Sequence, residues 1–256
     1  MSGQLNSSVS TAFSILNLLS ESRPVITTQD VTRDLGINQT TAYRFLRTLE
    51  DLGALVTVKR GQYRLGAILA DLGERAIANN TLAYVVQPYL NELTEELKES
   101  ALATANHHNR TIVIARTRSR QPYSVNIDVG TELEAHCTVN GKLWLANLSE
   151  EELDHYLSNS DRSAFTASTI VDPEALREAI ILTRKNGYAI CSGERENEMS
   201  AVGVPVLSRS GRMIMGMSVF GPNSHFNEAF RTNAVEVLSK MAVQVQASLY
   251  GGDKVI

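Results

Sequence analysis

Residues 36–53, GINQTTAYRFLRTLEDLG, carry two arginines, a tyrosine and several hydroxyl and amide side chains in one short run. On a helix turning about 100° per residue, Gln39, Thr40, Tyr43, Arg44 and Arg47 fall within an arc of about 140°, and Ala42, Phe45, Leu46, Leu49 and Leu52 gather opposite. One face is suited to burial. The other carries the guanidinium and amide groups that pair with base edges and phosphate oxygens. The spacing points to recognition of a polar partner, with Gln39, Thr40 and Arg44 as base-contact candidates and Tyr43 and Arg47 as phosphate-contact candidates.

Other clusters invite catalytic or metal chemistry less strongly. His107-His108 with His136 and Cys137 are zinc-ligand types, but neighbouring histidines on a strand point to opposite sides, and no metal site is expected. Glu194, Glu196 and Glu198 follow a period of two that reads as a solvated face rather than a general-acid set. No Gly-x-Ser-x-Gly, phosphate-cradling Gly-Lys-Ser/Thr loop or dinucleotide fingerprint is present, so neither a catalytic residue nor a cofactor is assigned. Cys137 and Cys191 are the two cysteines and lack Cys-x-x-Cys spacing, which reads as reduced thiols.

The elements around residues 36–53 can be read from caps and periodicity. Ser10 or Thr11 is placed to cap a first helix burying Ala12, Ile15, Leu16 and Leu19. Thr27 or Thr28, with Asp30 as reciprocal cap, opens a second that buries Val31 and Leu35 and stops at Gly36. Asn38 is the expected N-cap of the third helix and Gly53 its stop, which makes a helix-turn-helix. Next, ALVTVKRGQYRLG alternates: Val56, Val58, Tyr63 and Leu65 are expected on one face and Thr57, Lys59, Gln62 and Arg64 on the other, around an Arg60-Gly61 turn. A two-stranded wing follows, its Lys59 and Arg60 available to backbone phosphate. Asn38 and Thr41 join the candidate DNA-binding set through their place at the helix entrance.

Bulk properties agree with such a head on a larger body. The chain has 256 residues, 43% of them hydrophobic and 20% charged, with a net charge of -4. Residues 1–66 hold seven Lys/Arg against five Asp/Glu, and residues 67–256 hold seventeen against twenty-three. A weakly basic head still permits phosphate contact, because binding depends on charge at the docked face. The apolar stretch Ala12–Leu19 lacks a preceding basic residue and is interrupted by Ser14 and Asn17, so it reads as an amphipathic helix. No membrane association and a cytoplasmic location are expected.

Across almost its whole length the sequence resembles the IclR family of bacterial transcriptional regulators. The matching segments are VSTAFSILNLLS, DVTRDLGINQTTAYRFLRTLEDLGALV and GQYRLG in the head, then GTELEAHCTVNGKLWLANL, FTASTI, ALREAIILTRKNGYAICSGERENEMSAVGVPV and GMSVFGP. The resemblance implies an α+β chain with a winged helix-turn-helix at 1–66, a linker helix at 67–81 and a GAF-like domain at 82–256. In that domain an antiparallel sheet is flanked by helices. It implies a regulator, repressors included, that binds double-stranded operator DNA as a homodimer or dimer of dimers under control of a small effector. An enzyme acting on a small carboxylate, with the winged helix as regulator, is the alternative. A helix break is expected near Asn79-Asn80, and Pro88 is expected in the first turn of a new helix.

The same resemblance marks a pocket. In TVNGKLW, a loop entering a helix would present backbone amides at Asn140 and Gly141 to an acid group, with Lys142 adding positive potential or serving as a structural side chain. Cys191 stands where some members have an acidic or polar residue, and Ala201 where several have cysteine. Ser218 keeps a pocket hydroxyl, and Phe220 replaces a second serine of glyoxylate-type members. The usual glycine is lost at Glu198, and Pro-Leu is replaced by Glu134-Ala135. These departures favour an aromatic or branched carboxylate over a two-carbon acid.

Overall fold

A computed structural model describes residues 6–20, 22–78, 81–107, 110–120 and 127–251. Contacts divide the chain into two compact units, residues 1–79 and residues 80–253. The expected break at Asn79-Asn80 and the candidate zinc ligand His108 lie outside the described residues.

In the first unit, α1 (Ser7–Asn17), α2 (Thr28–Leu35) and α3 (Gln39–Asp51) surround a core containing Ile15, Ile26, Val31, Leu46 and Leu55. The α1 cap is Asn6, whose side chain accepts from Ser8 N and Val9 N. Ser10 and Thr11 lie inside the helix instead, where the Thr11 hydroxyl donates to the Ser7 carbonyl. Asn is an effective cap, and starting the helix a turn earlier satisfies amides that a cap at Ser10 would leave to water. The α2 entrance follows expectation: Thr27 and Asp30 form a reciprocal capping box, and Gly36 closes the helix at φ 65°. A further helix, α4 (Ala67–Ala78), sets Ile68 and Leu69 against the same core.

The wing has three strands rather than two. β1 (Ile26–Thr27) pairs with β3 (Gln62–Leu65), which pairs with β2 (Leu55–Lys59), all antiparallel. Its faces also differ from the alternation read in the sequence. Thr57 stands opposite Tyr63 and Val56 opposite Arg64, so Val56 and Val58 share the outer face with Arg64 and are 48% and 45% exposed. Leu55 and Tyr63 fill the core face. The register shifts between Thr57 and Lys59, and such a bulge breaks the phase relation that simple alternation assumes.

In the second unit, α5 (Thr81–Leu97) leads into a six-stranded antiparallel sheet in the order β6-β5-β4-β9-β8-β7. The strands are β4 (Ser100–His107), β5 (Arg110–Arg116), β6 (Glu132–Leu133), β7 (Ala189–Ser192), β8 (Met199–Leu207) and β9 (Met213–Pro222). α5 and α9 (Glu228–Tyr250) cover one sheet face, packing Val86, Leu90, Leu93, Leu238, Met241 and Val245 on Val204, Met217 and Val219. α6 (Val139–Ala146) lies against β8 and β9 and packs with α8 (Pro173–Asn186), while α7 (Glu150–Asn159) adds Leu153 and Leu157 to that side. Pro88 sits in the middle of α5 and not in its first turn. The apolar stripe Val86, Leu90, Leu93 and Leu97 is buried, and burial on that scale outweighs the roughly 3 kcal/mol of an interior proline. Among the described residues no helix is long and apolar enough to cross a membrane.

Candidate functional site

Two surfaces take up the candidate residues, one in each unit. In the first, Asn38 caps α3 by accepting from Thr41 N at 2.8 Å, so both residues are committed to the helix entrance. Ala42, Leu46 and Leu49 are buried, and Gln39, Thr40, Tyr43, Arg44 and Arg47 are all exposed. Arg47 is held by Glu50 at 3.1 Å and Asp51 at 3.7 Å, and Glu50 also accepts from the Thr57 hydroxyl at 2.7 Å, tying α3 to the wing. Arg44, Lys59 and Arg60 have no ion pair among the described residues and are exposed. By contrast Arg23 and Arg33 on the α2 side are both paired with Asp30 and Asp34. Those hydrogen bonds, Arg33 first and then Arg23, hold the Asp34 carboxyl down at about 2. Among the described residues the unpaired cations of the head therefore lie on α3 and the wing, and of the α3 arginines only Arg47 is shared with internal carboxylates, Glu50 and Asp51.

In the second unit a cavity of about 90 Å³ opens between the sheet and the first turn of α6. Thr138, Val139 and Asn140 line it at the helix entrance, Ser218 and Phe220 from β9, Ala201 from β8 and Cys191 from β7. The pairing Ala201 to Phe220 and Leu102 to Ser218 places these four on one face of the sheet. Of the seven expected pocket residues, five line the cavity, and Gly141 and Lys142 do not. Gly141 packs on the preceding loop, where an added Cβ would lie 2.3 Å from the Ala135 Cα and 2.5 Å from its carbonyl oxygen. Thr138 caps α6 by accepting from Gly141 N.

Lys142 is buried and its Nζ donates to both Glu194 carboxylate oxygens, at 2.6 and 2.7 Å. Burial opposes its positive charge, but the Cys191 sulfur and the Glu194 carboxylate more than offset that, and its pKa lies above the ordinary lysine value. Glu194 thus departs from the expected solvated row, because its charge is matched inside the fold; Glu196 and Glu198 are exposed as expected. Burial drives both thiols upward, Cys137 to about 12. Two uncommitted polar groups face the ligand space. Ser218 is 2% exposed and has no hydrogen-bond partner among the described residues, and neither amide atom of Asn140 has one.

Sequence reasoning did not find several cavity residues: Leu102, Ile127, Leu133, Cys137, Thr138, Glu194, Arg195, Glu196, Met199 and Ser200. Leu102 is identified by the strand register alone, as the partner of Ser218. At the mouth, Arg195 donates to Glu134 and Glu196 at 2.8 Å each and lies 4.4 Å over the Phe165 ring. His136 is buried, within 3.0 Å of the Ser163 carbonyl and stacked on Phe165. Among the described residues no group of three or more His, Cys, Asp or Glu is placed to hold a metal ion.

The comparisons with known proteins agree with this division of labour. Residues 8–59 match the IclR helix-turn-helix domain, and residues 74–247 match the bacterial transcriptional regulator IclR C-terminal domain. The HTH-type transcriptional regulator KipR of Bacillus subtilis is 23% identical over 244 residues, covering 95% of this chain and 97% of its own. A putative IclR transcriptional regulator from a Silicibacter species superposes with a TM-score of 0.71 at 25% identity, with 96% of each chain covered. An IclR homologue from Microbacterium hydrocarbonoxydans, solved with 4-hydroxybenzoate, has a TM-score of 0.60 at 24% identity over 94% of this chain and 98% of its own. These relatives are regulators rather than enzymes. The two family models match residues 8–59, in the helix-turn-helix unit, and residues 74–247, which span the unit with the antiparallel sheet, and the chain belongs to the IclR family of bacterial transcriptional regulators.

Proposed function

We propose that this regulator binds operator DNA through α3 and the wing and that a small organic acid in the α6 cavity modulates that binding or the promoter's activity. Gln39, Thr40 and Arg44 take base edges, and Tyr43, Arg47, Lys59 and Arg60 take phosphate, with Asn38 and Thr41 holding the helix entrance. One such head covers a half-site, so a homodimer or a dimer of dimers on a palindrome, in the cytoplasm, is the working assembly. Residues 67–81 serve as the connection between the DNA-binding head and the effector domain at 82–256.

The observation that carries the effector reading is the first turn of α6 opening into a cavity of mostly apolar surface beside Ser218, an uncommitted hydroxyl. Helix-entrance amides and a hydroxyl bind a carboxylate without a formal countercharge, which suits a site whose one buried lysine is already paired with Glu194. Phe220, Ala201 and Cys191 accept the apolar body, and an aromatic or branched carboxylate is favoured. At about 90 Å³ the cavity is well above the ~10–15 Å³ needed to admit a single water, so it has room for a small ligand. The Microbacterium homologue solved with 4-hydroxybenzoate supports that class by analogy. Calorimetry over a panel of carboxylates tests the reading. Ser218→Ala is expected to weaken binding, and Phe220→Ser to shift preference toward smaller, more polar acids. A native protein that binds no carboxylate, or an unchanged rank order in Phe220→Ser, refutes it.

A further inference from the structure

Buried polar atoms without partners are rare in folded proteins, and each carries a desolvation cost that an apolar isostere avoids. In residues 80–253, six buried side-chain polar atoms lack a partner among the described residues, and five of them belong to Thr104, Asn106, Thr111 and Asn140. Their clustering calls for a common cause.

Strand register brings three of them together, and α6 sets the fourth, Asn140, over the strand next to Thr104. Thr104 pairs with Val113 and Asn106 with Thr111, so Thr104, Asn106 and Thr111 share one sheet face and neighbour one another. Directly opposed residues have Cβ atoms about 5 Å apart, yet Asn106 Oδ1 and Thr111 Oγ1 make no bond to each other or to anything else described. On its other side Thr104 pairs with Gly216. There the Asn140 amide rests: its Oδ1 lies 2.9 Å from where a Gly216 Cβ would stand and 3.2 Å from that of Gly203. Two glycines thus make the ledge for a buried amide that bonds to neither strand. Leu102 and Ser218, the next residues along β4 and β9 on this face, already line the cavity, as does Asn140.

The donor and acceptor inventory defines what fits. Two threonine hydroxyls donate or accept, Asn106 Oδ1 accepts, and the Asn140 amide does both. No charged side chain is among the four. A carboxylate would leave the amide oxygens unmatched and an ammonium would leave the amide N–H unmatched, whereas a hydroxyl both donates and accepts. We propose that Thr104, Asn106, Thr111 and Asn140 form an inner polar subsite of the cavity that receives an uncharged hydroxyl carried by the effector. The inference rests on the acid-effector reading above and narrows it to hydroxylated acids. A hydroxyl group could also be supplied by resident water, and the experiment separates the two sources.

The test compares native protein with the isosteric double variant Thr104→Val/Thr111→Val. Calorimetry uses matched pairs: benzoate against its three monohydroxylated isomers, and isovalerate against 2-hydroxyisovalerate. The native protein is expected to bind at least one hydroxylated acid about tenfold more tightly than its plain partner, and the variant to bring that ratio to near one. Thermal unfolding without ligand is the second arm, with the variant expected to melt at or above the native temperature because it loses two unpaired hydroxyls. A variant that melts below native reveals hydroxyls already satisfied by resident water and overturns the proposal. Equal binding of plain and hydroxylated acids by native protein, or a native preference that the variant keeps, overturns the subsite while leaving the acid reading intact. No binding of any acid overturns both.

Discussion

Replacing Lys142 with methionine removes one half of a buried ion pair and leaves the Glu194 carboxylate with no cation. The Lys142 and Glu194 side chains are 4% and 9% exposed, and Nζ sits 2.6 Å from Oε1. At an effective dielectric of about 20 their attraction is about 6 kcal/mol, and desolvating two ions costs several kcal/mol each, so the intact pair contributes close to nothing net. Breaking it is a different matter: one uncompensated buried charge costs about 3–5 kcal/mol. Lys142→Met is therefore expected to lose about 3–5 kcal/mol, roughly 6–20 °C in melting temperature for a unit of this size. Urea unfolding of Lys142→Met, Glu194→Leu and the double variant measures this directly, the double recovering about 2 kcal/mol relative to the sum of the singles. A loss below about 1 kcal/mol in Lys142→Met, or strict additivity in the double variant, refutes the reasoning.

Arg44→Ala is expected to cost about 1–3 kcal/mol on the specific operator and to relax preference at one base pair, whereas Arg47→Ala should weaken all sequences alike; retardation assays on the chain's own upstream DNA distinguish the two, and unchanged affinity in the double variant removes α3 from the interface. Gly141→Ala would push a Cβ to 2.3 Å from the Ala135 Cα, and since backbone atoms yield little, a loss of about 1–3 kcal/mol or more is expected in thermal unfolding. Burial holds the Cys137 thiol neutral up to about 12, against an ordinary value of 9.0. The reactive thiolate therefore appears only at higher pH in the folded chain, and iodoacetamide labelling of Cys137 at pH 8 should run about a thousandfold slower than after unfolding. Labelling at the ordinary rate contradicts its burial.

Local chemistry makes part of this protein legible from the amino-acid sequence. The capping box at Thr27 and Asp30, the Asn38 cap and the Gly36 stop each depend on hydrogen bonds between residues no more than four apart. The exposed row Gln39 to Arg47 follows from helical period alone once those caps set the helix ends. The Asn6 cap of α1 is equally local, but Ser10 and Thr11, two other good capping types in the same stretch, compete with it by residue type alone. What tertiary structure decides is what joins distant residues. The wing's faces depend on which residue of β2 meets which of β3, and a bulge at the turn shifts that phase. Pro88 stays inside a helix because a core that the local sequence does not reveal rewards the stripe on either side of it. Lys142 finds Glu194 across 52 positions, which decides between the two roles the sequence leaves open for that lysine in favour of a structural one, and a glutamate expected in a solvated row is buried. Gly141 serves the Ala135 backbone, and Gly203 and Gly216 serve the Asn140 amide. Side-chain type and spacing specify what a residue can bond to; only the meeting of strands and helices specifies which partner it has, and therefore which groups remain free for a ligand.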